Sequence, residues 1–174
     1  MTLAELIARL RDYAEGTLTG AALQASFAPV LAADPLDVER SESTPWDVAP
    51  DETRLFWRLL YLFESEGTGD DDAERRRLAG RVVQCVESTR SPASTFELLP
   101  LVVDEERFCT IVARHEREVI SRTGFLNVIA ESGYPPHVKL WLQHARPDAL
   151  ARLCGRLARG EYGAAAAAME RVPE

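Results

Sequence analysis

The chain is poor in the residues that most often announce chemistry. Three cysteines and three histidines are scattered over 174 residues. Neither type forms a Cys-x-x-Cys or one-turn histidine pair, so neither a zinc site nor any other cofactor is expected. The odd, widely spaced cysteines (Cys85, Cys109, Cys154) each fall among apolar residues, which points to reduced, buried thiols and a cytoplasmic protein. No Gly-x-Ser-x-Gly elbow is present, so hydrolase chemistry has no support. No apolar run approaches the ~20 residues of a membrane helix. Glu5 and Arg9 interrupt the apolar N-terminus, unlike a secretory signal. Lysine occurs once, at Lys139; the excess of arginine and alanine has the look of coding bias from a GC-rich genome. No stretch of useful length shows the period-two alternation of a strand.

What is present is helical periodicity throughout. Thr2 and Glu5 make a capping box, followed by Leu3, Leu6, Ile7, Leu10 and Tyr13 at helical spacing up to Gly16. A second helix runs from about Thr19 through Leu23 and Phe27 and bends or ends near Pro29. The stretch Asp51–Glu64, DETRLFWRLLYLFE, is apolar or aromatic around almost its whole circumference, and only Arg54 and Arg58 break it. Such a helix must be wrapped by others, so it marks the middle of a helical core. Later helices expose inner faces at Leu78, Val82, Cys85 and Val86, at Phe108, Ile111, Val112, His115 and Val119, and at Leu150, Leu153, Cys154 and Leu157. A short helix at Ser94–Leu99 should stop at Pro100, and Asp104 should cap a long helix to about Arg122 with Gly124 as its C-terminal stop. The expectation is an all-α chain: a compact bundle or irregular array of nine or ten helices in hairpins, with no sheet. One domain over 1–174 is the natural size, with any subdivision near 88–94.

The formal charge of −8 is uneven: residues 1–67 hold 12 acids against 5 bases, and the remainder 16 against 15. The most negative stretch is DPLDVERSESTPWDVAP at 34–50, where Pro35, Pro45 and Pro50 forbid regular structure. So long an irregular segment in a small domain is functional or mobile. An acidic surface repels nucleic acid and anionic membrane and attracts a basic protein. The expected partner-binding residues are Asp34, Asp37, Glu39, Glu42, Asp47, Asp51 and Glu52, with Trp46 as a desolvated anchor.

Other chemistry-bearing residues read more simply. His115 opens HEREV, but a zincin needs a second histidine where Val119 stands, so His115 reads as a hydrogen-bonded core or interface residue. His137 and His144 lie two turns apart, about 10 Å, too far to share a metal comfortably. With Trp141 between them they form an alternative groove for a bound peptide. Gly67-Thr-Gly-Asp70 lacks the lysine and the preceding strand of a phosphate loop, and Asp70–Asp72 read as helix-capping acids. Arg75, Arg76, Arg77 and Arg81 fan around a helix directly after those acids, and read as a solvated face paired locally.

Two segments resemble known families. LRDYAEGTLTGAALQASFAPVLAADP, followed later by FWRLLYLF, resembles immunity proteins of the colicin D type. In those, a first helix ends in Gly-x-apolar, a second carries a buried Phe (here Phe27), and an aromatic–leucine helix follows. The resemblance covers residues 1–65 and leaves 90–174 unexplained. It implies a protein that blocks a toxin's basic nuclease site with acidic side chains. Near the C-terminus, Gly160, Tyr162, Ala165 and Met169 resemble the middle of one tetratricopeptide-repeat hairpin, with no 34-residue period elsewhere. The glycine and small residues there echo YAEGTLTGAA at Gly16: a helix stop followed by a helix folded closely back. The reading is a non-catalytic protein–protein interaction module, with an immunity-like protein directed at a basic partner as its sharper form. A helical-repeat scaffold binding a peptide, and a small-ligand binder or enzyme, are the alternatives.

Overall fold

The expected all-helical chain is what folds. A computed structural model, which describes residues 1–32, 50–64 and 72–170, contains ten α-helices and, among those residues, no strand. They are α1 (Leu3–Ala14), α2 (Gly20–Leu31), α3 (Asp51–Glu64), α4 (Asp72–Ser88), α5 (Pro92–Val103), α6 (Glu105–Glu116), α7 (Arg122–Glu131), α8 (Pro136–His144), α9 (Pro147–Ala158) and α10 (Tyr162–Met169). They group into two compact units, Met1–Val83 and Gln84–Glu174, with the boundary inside α4, a few residues before the 88–94 segment. No described helix is long and apolar enough to cross a membrane.

In the first unit, α1 starts on the expected capping box: the Thr2 amide donates to Glu5 Oε2 at 2.7 Å and the Glu5 amide to Thr2 Oγ1 at 3.2 Å. Its buried stripe, Leu3, Leu6, Leu10 and Tyr13, meets Leu23 and Phe27 of α2 and Leu55, Phe56, Leu59, Leu60 and Phe63 of α3. Helix α3 is less enclosed than its composition implies. Trp57, Tyr61 and Leu62 are only partly covered, and Trp57 stacks on Tyr61 with centroids 5.8 Å apart. Helix α2 runs through Pro29 to Leu31 instead of stopping there. Proline removes one amide donor near the end of the helix, a loss that the last turn absorbs.

The second unit has one continuous apolar core, from Cys85 of α4 through Phe108, Phe125, Trp141 and Leu150 to Met169 of α10. Two sequence expectations change here. Helix α5 continues past Pro100 to Val103, because Leu98, Leu99, Leu101 and Val102 are all buried, and that burial outweighs the one hydrogen bond the ring eliminates. The long helix from Asp104 to Arg122 does not exist. Helix α6 ends at Glu116, Glu118 takes φ +56°, and Val119, expected inside, is 61% exposed.

Three helix ends share one geometry. After α1, the Gly16 amide donates to Tyr13 O and the Thr17 amide to Asp12 O; after α9, Gly160 and Glu161 donate to Leu157 O and Arg156 O. After α6, Glu118 donates to His115 O and Val119 to Arg114 O. All three are Schellman stops, with a left-handed residue after the cap. Glycine supplies it at Gly16 (φ +82°) and Gly160 (φ +69°), as the sequence echo implied. At α6 a glutamate supplies it, a residue type that carries no helix-stop signal of its own. Gly124, assigned that role from sequence, lies inside α7, where its amide is capped by Ser121 Oγ at 3.1 Å.

Candidate functional site

Of the expected partner-binding residues, Asp34, Asp37, Glu39, Glu42, Trp46 and Asp47 lie outside the described residues. Asp51 and Glu52 open α3 and are exposed, where the helix dipole favours negative charge. Arg54 Nη1 stands 3.5 Å from Asp51 Oδ1, a surface pair of little energetic consequence. By unit, residues 1–83 carry 16 acids and 9 bases, and residues 84–174 carry 12 and 11.

The arginine run of α4 does more than form a solvated face. Arg76 Nε pairs with Asp72 Oδ2 at 2.6 Å, but its Nη1 also donates to Tyr13 O at 2.6 Å and to Leu18 O at 3.3 Å. Its guanidinium lies 4.6 Å from the Tyr13 ring centroid. The Tyr13 hydroxyl donates to Asp72 Oδ1 at 2.8 Å, so one carboxylate ties α1 to α4. Arg76 and then Tyr13 hold the Asp72 carboxyl below its ordinary range. Arg75 reaches Phe63 O, which also accepts from Gln24 Nε2 at 2.6 Å. Two guanidinium groups therefore seal the negative C-terminal ends of α1 and α3. Arg76 makes these contacts from two nitrogens of one rigid fork, a geometry that the single nitrogen of lysine lacks.

The histidines are dispersed. His137 Nε2 lies 3.1 Å from Glu97 Oε2, joining α8 to α5 on a half-exposed surface. His144 is exposed, with Nδ1 2.9 Å from Leu140 O of its own helix. Trp141 is 7% exposed and part of the second unit's core, so the three do not line an open groove. His115 is half-buried, stacked on Phe125 with centroids 4.8 Å apart, and its Nδ1 lies 3.4 Å from Ile120 O. Among the described residues no three His, Cys, Asp or Glu side chains come together in a way that could hold a metal ion.

The structure adds a cleft that the sequence did not reveal. It encloses about 310 Å³ between the start of α6, the end of α7 and the turn that follows. Ile111, Val128 and Ile129 supply apolar wall; Asp104, Arg107, Glu131 and Tyr134 supply polar groups. Tyr134 donates to Asp104 Oδ2 at 3.3 Å, and its ring meets Phe108 edge-on at 6.2 Å. Burial first, then the Asp104 charge, push the Tyr134 hydroxyl well above its ordinary range, so it remains a proton donor at neutral pH. Asp104 was expected to cap α6; it occupies the N-cap position without a side-chain cap bond, and serves Tyr134 and Arg107 (3.9 Å) instead. These residues come from two helices and a turn, each with an ordinary local role, which is why no sequence pattern marked them. The cleft offers both signs of charge, a hydroxyl and an apolar wall, but no nucleophile paired with a base.

No family model matches the chain, and no curated protein and no solved structure shows significant similarity to it.

Proposed function

We propose that the protein is a non-catalytic binding module that recognises a basic protein partner through its first unit. The observation that supports this is the charge distribution: nearly the whole excess of −8 falls within residues 1–83. The half-buried Arg75 and Arg76 strengthen it, since two of that unit's bases are spent on backbone carbonyls. Electrostatic steering raises association rates and then orients docking. The resemblance of residues 1–65 to colicin D-type immunity proteins extends the proposal to neutralisation of a basic nuclease toxin.

The test is capture of the partner from the native host at low salt, followed by association kinetics. Association should slow at least about tenfold between about 50 and 500 mM salt. The combined variant Asp37→Ser, Glu39→Ser, Glu42→Ser should slow it further at low salt, and Asp51→Asn with Glu52→Gln should do so to a smaller degree. A partner whose binding ignores both salt and these substitutions refutes the proposal.

The cleft at Tyr134 favours a second reading, a small-ligand binder. Its volume lies at the lower end of the ~300–1,000 Å³ of ligand pockets. Compounds pairing an amine or carboxylate with a short apolar group should bind in ligand-observed NMR and lose contact in Tyr134→Phe. Binding unaffected by that change would place the ligand elsewhere.

A further inference from the structure

The lining of the cleft at Tyr134 is uneven in what it can offer a ligand. Its charged side chains are two acids, Asp104 and Glu131, against one base, Arg107. Each of its hydroxyls has already spent its single proton on the protein: Tyr134 donates to Asp104 Oδ2 at 3.3 Å, and Ser132 Oγ donates to Ile129 O at 2.6 Å. Toward a ligand both therefore present lone pairs alone. Tyr134 is 8% exposed and belongs to the core, so its oxygen is fixed in place. The lining side chain with protons to spare is Arg107, which is 74% exposed and 3.9 Å from Asp104 Oδ2, a loose surface pair. Glu131 ends α7, where the helix's own carbonyls are negative, and it makes no ion pair among the described residues. Lys139 reaches that end of α7 but gives its ammonium to Ala130 O at 2.8 Å.

We propose that this cleft binds a small primary ammonium ion with a short, branched apolar tail. The proposal rests on the small-ligand reading of the cleft and decides between amine and carboxylate. An ammonium brings one positive charge and three N–H donors to a wall of carboxylates and hydroxyl lone pairs. Its tail lies on Ile111, Val128 and Ile129 and leaves water there. A carboxylate in the same place meets two acids and two hydroxyls with no proton to give, and Arg107 alone favours it. A bare metal ion fits less well, because no three ligating side chains meet among the described residues and the apolar wall offers it nothing.

The test uses the full-length chain with labelled isoleucine and valine methyl groups at neutral pH. Three compounds of one skeleton are titrated: isopentylamine, isopentanol and isovalerate. Isopentylamine should shift the Ile111, Val128 and Ile129 methyl signals to saturation, and isovalerate should leave them unmoved at the same concentration. Isopentanol should bind at least about tenfold more weakly than the amine. Glu131→Gln should weaken amine binding about three- to tenfold. Arg107→Ala should leave it as tight or tighten it by up to about threefold. Both changes fall on exposed side chains, so the fold should survive them. Isovalerate or isopentanol binding as tightly as the amine overturns the proposal and leaves the small-ligand reading standing. Methyl signals that respond to none of the three compounds overturn both. Amine binding that spares these methyl groups, ignores Glu131→Gln or is abolished by Arg107→Ala also overturns the proposal.

Discussion

Gly163 gives the sharpest test of the packing, because two physical effects predict opposite signs. It lies in the first turn of α10, where replacing glycine by alanine ordinarily stabilises a helix by up to about 1 kcal/mol. In the fold, a Cβ at this position would stand 2.4 Å from the backbone carbonyl oxygen of Ser88 at the end of α4. Ordinary contact begins near 3.4 Å, so α10 and α4 would have to separate by about 1 Å, and a backbone oxygen cannot swing aside as a side chain can. Overpacking of this kind costs about 1–3 kcal/mol. The neighbours displaced include Tyr162, Ala165 and Met169 on the buried face of α10, so the upper part of that range applies. After the propensity gain, Gly163→Ala should destabilise by about 2 kcal/mol, a fall in Tm of roughly 8–16 °C for a unit of this size. Gly133→Ala is the control, since nothing lies within 4 Å of its Cβ position; its midpoint should hardly move. Urea denaturation followed by circular dichroism reads both. A Gly163→Ala protein as stable as the parent would refute the close approach of α10 to α4.

Two further outcomes follow from local geometry. Glu118→Gly should raise the unfolding free energy by about 0.5–1 kcal/mol, read as a higher urea midpoint, because a left-handed L-residue costs about 1–2 kcal/mol and glycine returns part of that through its looser unfolded chain; Glu118→Val should lower it, and no gain from glycine would mean that the α6 stop is not a Schellman turn. Burial, then the Asp72 hydrogen bond and charge, raise Tyr13 from 10.0 to about 12. Its share of stability is therefore whole below pH 10 and lost as pH rises through about 12. Ultraviolet titration of tyrosinate should show a late step that Tyr13→Phe removes; an unchanged curve rejects the Tyr13–Asp72 contact.

Helix existence was readable almost everywhere, since apolar spacing reflects which face must leave water. Boundaries failed where a residue acted against its usual tendency. Pro29 and Pro100 sit inside helices because surrounding burial exceeds the loss of one hydrogen bond, and Glu118 ends a helix in a role that glycine normally fills. The site residues fared differently. Trp141 carried an aromatic signal that suits a groove or a core equally well, and only its neighbours made it core. Asp104 looked like a cap because a cap is a local event, whereas its partner Tyr134 lies thirty residues on.

By itself, the sequence determined an all-helical chain, its two glycine stops, its capping box and the concentration of negative charge near the N-terminus. Each follows from neighbours within a turn or two, or from simple counting. Tertiary structure alone decided that Arg75 and Arg76 seal helix ends and that Asp104 and Tyr134 share a cleft. Those pairings join residues far apart in the chain, and no local periodicity records which helix will lie against which.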